Sequence, residues 1–376
     1  MQQSIIPAYI NGPYNYVQLT GTVNNIKKNI IIFLDVHLDI NNQTRCISFD
    51  SSDISQYLYQ IIKNTTLSLD FFLEIRNEHI QKPITDKKDI YIAEVIEMFK
   101  SEFIIEKDKV KYAKSNKNVR LHYLDIRDHL QFNYVINQLK QQILPKLNSI
   151  KNENLTDSDK IQNLEQIKQH IDNIKHYTIA IFERHIKIYN DKSTIYDKKS
   201  KEYYLNKIIH EYKHTTVKKN INYFFNDFFM NYNGDFMKII FEFLSNIVYY
   251  KNDIKNKLYL LKLFELYNKL NNNILALYAI ITDVYFLRRF LDKDYIQNVI
   301  SYCGRNHALN YIYFLVKHCN FTITKIYDSN GLSLDDIMNK IKQTNDLNKV
   351  YNLFLFEGEK PKQCVIIPRE NLHLGW

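Results

Sequence analysis

Glycine and proline are scarce in this sequence, with 7 glycines and 6 prolines among 376 residues. Glycine-rich phosphate loops need glycines at fixed spacings, and neither the GxGxxG nor the GxxxxGKS/T pattern occurs. The GxSxG turn, which carries the nucleophile of many serine hydrolases, is absent as well. The sequence therefore excludes the common nucleotide-binding motifs and this nucleophile motif.

Long apolar runs are also lacking. No run approaches the roughly 20 apolar residues that a transmembrane helix requires. The first residues lack the basic and apolar regions of a signal peptide. We therefore expect neither a membrane span nor a secretory signal.

Cysteines are few and scattered, and no CxxC pair occurs among Cys46, Cys303, Cys319 and Cys364. This spacing does not match a zinc finger or a dense disulfide framework. The simpler interpretation is that the protein resides in a reducing compartment.

The formal net charge is +9, which raises the question of a nucleic-acid partner. The basic excess is mainly lysine, and Asn, Ile, Tyr and Phe are abundant too. All have A/T-rich codons, so genome composition explains the charge, and we do not predict nucleic-acid binding. With 45% hydrophobic residues, the chain can form a packed core.

Strand-like and helix-like segments alternate in the first third of the chain. Apolar runs predict strands at 16–25, 29–39, 67–75 and 119–126, and helical spacing predicts helices at 54–62 and 90–103. Residues 16–39 could form a hairpin, or 29–39 could be the first central strand. Polar residues follow three of these strands, which is typical of an α/β fold with a mostly parallel sheet and flanking helices.

Long helices dominate from about residue 133 to 290, and strands resume near 295–302, 321–326 and 363–367. We therefore predict an α/β domain formed by residues 1–132 and 293–376. A large, all-helical insertion or lid at 133–292 interrupts it.

His37 lies at the end of the run FLDVHLD, between Asp35 and Asp39. In an extended chain these three side chains point to one side. They could bind a divalent metal, or the two carboxylates could favour an imidazole that acts as an acid. Alternatively, they only cap neighbouring helices.

Two further strand ends carry an acid followed two residues later by an arginine. Glu74 ends an apolar run and precedes Arg76, and Asp125 precedes Arg127. A carboxylate leaving a buried strand needs a partner. These pairs predict either structural ion pairs or an anion clamp.

His307 follows Gly304 in CGRNH, and the glycine allows a sharp turn from strand to helix. The apolar helix predicted just before this strand contains three polar residues, Asp283, Tyr285 and Arg289. Such residues often face a polar cleft, so they are candidates for substrate binding.

One metalloprotease-like pattern, HExxH, spans His210 to His214 with Glu211 as the candidate base. It lies in a predicted helix, where the two histidines would share one face. Lys213 adds a charge within the motif, so a solvated helix face is the competing interpretation.

Several long phrases resemble one family of viral proteins. These phrases are FLDVHLDINNQTRC, SSDISQYL, DFFLEI, NVRLHYLDIRDHL and TDVYFLRRFLDKDYIQNVISYCGRNHALNYIYFLVKH. They resemble uncharacterised proteins encoded by giant DNA viruses of the mimivirus type. The resemblance implies a location in the host cytoplasm or the virion.

A more distant likeness is to the erythromycin-esterase/ChaN/TraB–Tiki group of α/β proteins, which carry two GxxH motifs and a glutamate. Gly304 to His307 matches the second motif, Glu74 matches the glutamate, and His37 matches the first histidine. Leu34 stands where the first glycine is expected. The likeness implies a metal-assisted, hydrolase-like site.

The sequence thus predicts His37, Glu74 and His307 as catalytic, with Asp125 and Arg127 beside them. Arg76, Asp283, Tyr285 and Arg289 are predicted to contact substrate, and Asp35 is predicted to join the first three as a ligand of a divalent metal ion. The alternative is a non-enzymatic protein that associates with the virion or binds a host protein.

Overall fold

The computed structural model describes residues 8–38, 40–75, 90–106, 109–190, 206–207, 211–354 and 362–367. The chain forms two compact units, which are described separately. The first contains the described residues of Met1–Asp125 and Tyr285–Trp376, and the second those of Ile126–Val284.

The strands, in chain order, are β1 (Ala8–Asn11), β2 (Asn15–Val23), β3 (Ile26–Asp35), β4 (Ser52–Asp53), β5 (Leu69–Leu73), β6 (Phe103–Glu106), β7 (Lys109–Ala113), β8 (Val119–Tyr123), β9 (Asn298–Gly304), β10 (Thr322–Ile326) and β11 (Cys364–Ile367). The α-helices are α1 (Ile54–Asn64), α2 (Ile90–Glu102), α3 (Phe132–Asn137), α4 (Leu144–Ile150), α5 (Asp157–Asn190), α6 (Thr215–Asn252), α7 (Lys257–Asp292), α8 (Arg305–Cys319), α9 (Leu334–Gln343) and α10 (Leu347–Leu353).

The first unit is built on a six-stranded sheet in the order β10-β2-β3-β9-β5-β8. Strands β3, β9, β5 and β8 run parallel, whereas β10 and β2 are antiparallel to their neighbours. Smaller sheets join β11-β1-β4 and β6-β7. The six-stranded sheet is therefore mixed, and the prediction of a mostly parallel sheet is not confirmed.

The central strands are buried because their sequences are apolar on both faces. In β3, the segment Ile30–Leu34 is at most 7% exposed. On one side of the sheet, Phe33 and Phe71 pack with Tyr57 of α1 and Phe99 of α2. On the other side, α8 packs on β3 and β9. This layering places the ends of the parallel strands at one edge of the sheet.

The second unit contains α3 to α6, most of α7, and a π-helical stretch at Gln138–Ile143. Its core includes Leu164 and Ile167 of α5, Phe224 of α6 and Leu263 of α7. The boundary between the units falls inside α7, at Val284 and Tyr285. No helix in the described part of the chain is long and apolar enough to cross a membrane.

Two local features differ from the sequence prediction. Cys46 and Cys364 form a disulfide bond that was not predicted from the sequence, while Cys303 and Cys319 are not in disulfide bonds. The two cysteines are 318 residues apart, so their spacing in the sequence does not indicate that they pair. The hairpin of β6 and β7 lies in a part of the chain where the sequence predicted no strand.

Candidate functional site

The register of the parallel strands aligns three chain segments at one edge of the sheet. Asp35 lies opposite Gly304, and Tyr302 lies opposite Leu73. Consequently the residues that follow β3, β5 and β9 emerge side by side. This is the edge at which parallel α/β sheets commonly bind ligands.

Glu74 follows β5 directly and connects the three segments. Its Oε1 lies 3.1 Å from His307 Nε2, its Oε2 accepts a 2.8 Å hydrogen bond from the Gly304 N–H, and Oε2 lies 3.6 Å from His37 Nε2. Burial raises the pKa of the Glu74 carboxyl, but the charge and hydrogen bond of His307, together with His37, outweigh burial and hold it well below its usual range. Glu74 is therefore an ionised carboxylate between two imidazoles.

Asp35, the last residue of β3, supports His37 from the other side. Its Oδ2 lies 3.2 Å from His37 Nδ1 and accepts a 2.7 Å hydrogen bond from the Tyr302 hydroxyl. Its Oδ1 accepts a 2.7 Å bond from the Val36 N–H and a 3.3 Å bond from Gln363 Nε2. Burial raises the pKa of Asp35, but the hydrogen bonds from His37 and Tyr302 and the charge on His37 lower it overall.

The backbone at His37 departs from the predicted extended conformation. The strand ends at Asp35, and His37 has φ of +46° in the left-handed region. The alternation of side chains along FLDVHLD therefore stops before His37, although Asp35 and His37 still meet. Asp39 lies outside the described residues.

Gly304 is required by close packing in this turn. An added Cβ at residue 304 would lie 2.8 Å from His37 Nε2 and 3.1 Å from Glu74 Oε2. The φ of Gly304 is −59°, so space rather than backbone conformation demands glycine here.

Exposure differs sharply within this cluster. The His37 side chain is 38% exposed, Glu74 is 12%, His307 is 7%, and Asp35 is fully buried. His37 is therefore the residue of the cluster that a dissolved molecule reaches most easily. The other three side chains lie deeper in the protein.

The remaining predicted residues near the strand ends are more dispersed. Asp125 is largely buried, and its N–H donates to the Ile75 carbonyl. The Arg127 guanidinium lies 5.0 Å from the centre of the Phe132 ring. Arg76 lies outside the described residues, so its predicted pairing with Glu74 stays a prediction.

The three polar residues predicted on α7 have different surroundings. Asp283 is fully buried and Tyr285 is 9% exposed. Arg289 lies 3.2 Å from His122 Nδ1, with Nη2 facing the ring. His122 Nε2 is in turn 2.7 Å from Asp70 Oδ1, at the opposite end of β5 from Glu74.

This second cluster was not predicted from the sequence. Asp70 is fully buried and accepts two hydrogen bonds from Arg120, at 2.7 and 2.6 Å. Burial lowers the pKa of His122, so a neutral ring donates Nε2–H to Asp70 and accepts from Arg289. Both ring nitrogens of His122 therefore have partners inside the first unit.

The described part of the HExxH pattern, Glu211 to His214, is not helical. Glu211 to His214 precede α6, which begins at Thr215, and His214 has an extended backbone with φ of −115° and ψ of 120°. His210 lies outside the described residues. The i, i+4 geometry on which the zinc interpretation depended is therefore lost at His214.

The donor types at the sheet edge suit a divalent metal, since imidazole and carboxylate both bind zinc. However, across the described residues no group of three or more His, Cys, Asp or Glu side chains is arranged to hold a metal ion. The atoms that would bind the ion face one another, as Glu74 Oε1 and His307 Nε2 show at 3.1 Å.

Sequence reasoning missed Tyr302 and Gln363, which both donate hydrogen bonds to Asp35. Neither residue belongs to a sequence motif. Tyr302 lies inside a buried strand and Gln363 lies near the chain end, and only the folded structure shows that both contact the Asp35 carboxylate.

Comparisons with known proteins agree with the viral resemblance. Three proteins of Acanthamoeba polyphaga mimivirus are similar over most of both chains. Uncharacterized protein R706 is 30% identical, and the match covers 84% of this chain and 85% of that protein. Uncharacterized protein R161 is 29% identical over 92% of this chain and 94% of its own length. Uncharacterized protein R160 is 31% identical over 89% of this chain and 90% of its own length. No solved structure matches.

A family model described as a family of unknown function, DUF5847, matches residues 8–367. This range contains both compact units and every residue of the cluster at the sheet edge. The chain therefore belongs to the DUF5847 family.

Proposed function

We propose that this protein is hydrolase-like and that His37 exchanges a proton with water or substrate at the edge of the sheet. One observation carries the proposal: a 38% exposed imidazole lies between two carboxylates whose pKa values are both lowered. An imidazole held in this way is suited to general acid–base chemistry.

Each residue of the cluster has a distinct role in this proposal. Asp35 accepts from His37 Nδ1 and so fixes the ring orientation, which leaves Nε2 toward Glu74 and the turn at Gly304. Glu74 stabilises positive charge on His37 and His307 by its own negative charge. His307 keeps Glu74 ionised and in place through the 3.1 Å contact.

Hydrolysis of small activated substrates tests this proposal. Probes are 4-nitrophenyl acetate, 4-nitrophenyl butyrate and 4-nitrophenyl phosphate, because they distinguish carboxylic from phosphoric esters. We expect hydrolysis of at least one probe by the wild-type protein, and a loss of about 100-fold or more in kcat/KM for His37→Gln and Glu74→Gln.

The matched control is His318→Gln, at the end of α8, where the imidazole ring packs against Tyr313 and Phe314. This variant should keep wild-type activity. Equal rates in His37→Gln and the wild type, or no hydrolysis of any probe, would contradict the proposal. The second outcome would favour a non-enzymatic protein associated with the virion or a host protein.

A divalent metal at His37, Glu74 and His307 is the second candidate. Two imidazole Nε2 atoms approach one carboxylate, at 3.6 and 3.1 Å, and this is a set of ligand types that binds zinc. A bound ion would supply an acidified water. Metal analysis of the purified protein tests this version, which requires one ion per chain in the wild type and its loss in His307→Ala.

We further propose that the protein acts in the host cytoplasm or inside the virus particle. This is based on its relatives, which are proteins of a giant virus. Cell fractionation and analysis of purified particles would distinguish the two locations.

A further inference from the structure

The start of α8 carries backbone donors to which the fold gives no acceptor. The helix begins at Arg305, and its N-cap residue is Gly304, which has no side chain that could accept a hydrogen bond. The Gly304 N–H already donates to Glu74 Oε2. In the described part of the chain, the N–H groups of Arg305 and Asn306 have no acceptor. Such donors, together with the helix dipole, attract anions.

The Arg305 side chain adds a full positive charge at the same place. The first turn of a helix favours acidic residues, yet the first turn of α8 contains none. The Arg305 side chain is half-buried, and no carboxylate of the described residues forms an ion pair with it. The start of α8 therefore carries positive charge that these residues do not neutralise.

A buried hydroxyl without a partner lies at the same edge of the sheet. Tyr14 directly precedes β2, and its N–H donates to the carbonyl of Leu34, which pairs with Cys303 in the strand register. Tyr14 is 2% exposed, and its hydroxyl has no hydrogen-bond partner in the described structure. Burial raises the pKa of this hydroxyl, whereas the charge of Arg305 lowers it. The hydroxyl is thus a protonated donor within reach of the Arg305 charge.

A buried donor that lacks an acceptor is costly, and native proteins retain few of them. Its retention beside an unpaired guanidinium and two unpaired N–H groups is explained if a ligand supplies the acceptors. All of these groups are donors, so the ligand that they fit is an anion.

The start of α8 also adjoins the exposed imidazole of the proposed site. A Cβ added to Gly304 would lie 2.8 Å from His37 Nε2. The two carboxylates of the cluster have imidazole partners, because Asp35 Oδ2 lies 3.2 Å from His37 Nδ1 and Glu74 Oε1 lies 3.1 Å from His307 Nε2. These contacts reduce the repulsion that an arriving anion would meet.

We propose that the start of α8, the Arg305 guanidinium and the Tyr14 hydroxyl bind a phosphate or carboxylate group of the molecule on which His37 acts. Arg305 provides the charge, and the N–H groups of Arg305 and Asn306 provide two donors. The guanidinium moves toward the anion, which then reaches the Tyr14 hydroxyl. This inference rests on the proposed function for the identity of the bound molecule as a substrate, but binding of the anion can be measured without any reaction.

Nuclear magnetic resonance of the ¹⁵N-labelled protein provides the test, with inorganic phosphate and acetate as the probes. The Arg305 and Asn306 amide signals are identified by their absence in Arg305→Gln and Asn306→Ser. Each probe replaces sodium chloride at constant ionic strength and pH 7. We expect both amides to shift saturably, with a dissociation constant of about 1–10 mM for the better probe. Tighter binding of phosphate indicates a phosphate ester as the substrate, and tighter binding of acetate indicates a carboxylate.

Two variants measure the contribution of the side chains, with the Asn306 amide as the reporter. Arg305→Gln should weaken binding of the better probe by about 10-fold or more, because a charged donor is lost. Tyr14→Phe should weaken it by about 3-fold, because a neutral donor is lost. Circular dichroism checks that both variants are folded.

Lys342→Gln, on the exposed side of α9, removes the same charge elsewhere in the first unit and is the matched control. It should leave the dissociation constant unchanged. Equal weakening in Lys342→Gln and Arg305→Gln would show that only the net charge attracts the anion, and it would overturn the inference.

The outcomes separate this inference from the proposed function. If neither probe shifts the two amides more than chloride does, the inference is overturned, whether or not esters are hydrolysed. Saturable shifts that Arg305→Gln weakens support it even if no ester is hydrolysed, in which case only the hydrolase-like proposal fails. If 4-nitrophenyl phosphate is hydrolysed, Arg305→Gln should raise KM for this probe by about 10-fold and leave kcat/KM for the neutral 4-nitrophenyl butyrate within about 2-fold.

Discussion

At the scale of single residues, Gly304 determines how closely β9 approaches the two carboxylate-bound imidazoles. Its φ of −59° is one that any residue adopts, yet a methyl group there would fall 2.8 Å from His37 Nε2 and 3.0 Å from His37 Cδ2. Contacts this short force the ring to move. The same glycine donates its N–H to Glu74, so the displacement acts on both members of the cluster.

We expect Gly304→Ala to lower the free energy of unfolding by about 1–3 kcal/mol, the usual cost of forcing an extra methyl into a packed site. Urea denaturation followed by circular dichroism measures this change. Gly234→Ala is the matched control, since nothing lies within 4 Å of its added Cβ in α6. It should stabilise the protein by about 0.5–1 kcal/mol. A neutral Gly304→Ala would show that His37 is free to move.

Asp70 is the residue on which the second charged cluster depends. It is fully buried and ion-paired with Arg120, and it also accepts from His122. Removing its charge leaves a guanidinium without its carboxylate partner. We therefore expect Asp70→Asn to lower the free energy of unfolding by about 3 kcal/mol at pH 7.

The pH dependence of this loss has a definite sign. Burial raises the pKa of Asp70, but hydrogen bonds and charge from His122 and Arg120 lower it overall. A depressed native pKa gives stability above the unfolded value, near pH 4, that disappears as pH falls through the native value. The difference between wild type and Asp70→Asn should thus be constant above about pH 5 and shrink below pH 4.

Denaturation curves at pH 3, 5 and 7 check this behaviour. Asp172→Asn, on the exposed face of α5, should change stability by less than about 0.5 kcal/mol at each pH. If the wild type at pH 3 still exceeds Asp70→Asn in free energy of unfolding by the same amount as at pH 7, the charge of Asp70 does not stabilise the fold. The carboxylate would then stabilise the protein through its shape alone.

At the scale of elements, local sequence patterns were sufficient for most of the regular structure. The apolar run Ile30–Leu34 lies in β3, and the strand predicted at 67–75 contains β5. Ser333, a residue type that favours helix starts, accepts from the Asp336 N–H at the start of α9. These signals are local, because burial on both faces or a capping oxygen is visible within a few residues.

Non-local features could not be predicted from the same patterns. Strand β6 follows α2 without a break, so its apolar residues continue the helical pattern, and lysines separate the apolar residues of β7. The pairing of Cys46 with Cys364 and the hydrogen bond from Gln363 to Asp35 join residues more than 300 positions apart. His37, Glu74 and His307 were identified only because each lies near a strand end.

The end of α7 is fixed to β3 by one buried lysine. Lys28 Nζ donates to the carbonyls of Phe290, Lys293 and Ile296 at 2.9, 2.8 and 2.7 Å. Burial lowers the pKa of this amine to about 8, so it is protonated at pH 7 and supplies three donors. The lysine thus binds the Phe290 carbonyl at the helix end and two carbonyls of the turn that follows it.

We expect Lys28→Met to lower the free energy of unfolding by about 2–4 kcal/mol, because three buried carbonyls lose a charged donor. The control is Lys27→Met, one residue earlier and exposed, which should change stability by less than about 0.5 kcal/mol. Chemical denaturation at pH 7 compares the two variants. Equal stabilities would mean that solvent replaces the lysine at the helix end.

At the scale of the whole molecule, the first unit is assembled from both ends of the chain. Strand β9, from the last quarter of the sequence, lies between β3 and β5, from the first quarter. Neither β3 nor β5 can therefore complete its hydrogen bonding until residues beyond 298 are present. Such non-local pairing carries a large loop-closure cost before it gains contacts.

This arrangement predicts the behaviour of a chain that ends at Val284. Without β9 and α8, the facing edges of β3 and β5 are unpaired and the apolar residues of β3 lose the helix that covers them. We expect the amides of β2, β3 and β5 to lose protection from hydrogen exchange by about 100-fold or more, since such protection reports the free energy of opening. The helices of the second unit have their own buried residues, including Leu164 and Phe224, and should stay protected. If β3 keeps the protection that it has in the full-length protein, the hairpin with β2 is sufficient to stabilise this strand. The approach of His307 to His37 would then be the last step of folding, and the strand would form without it.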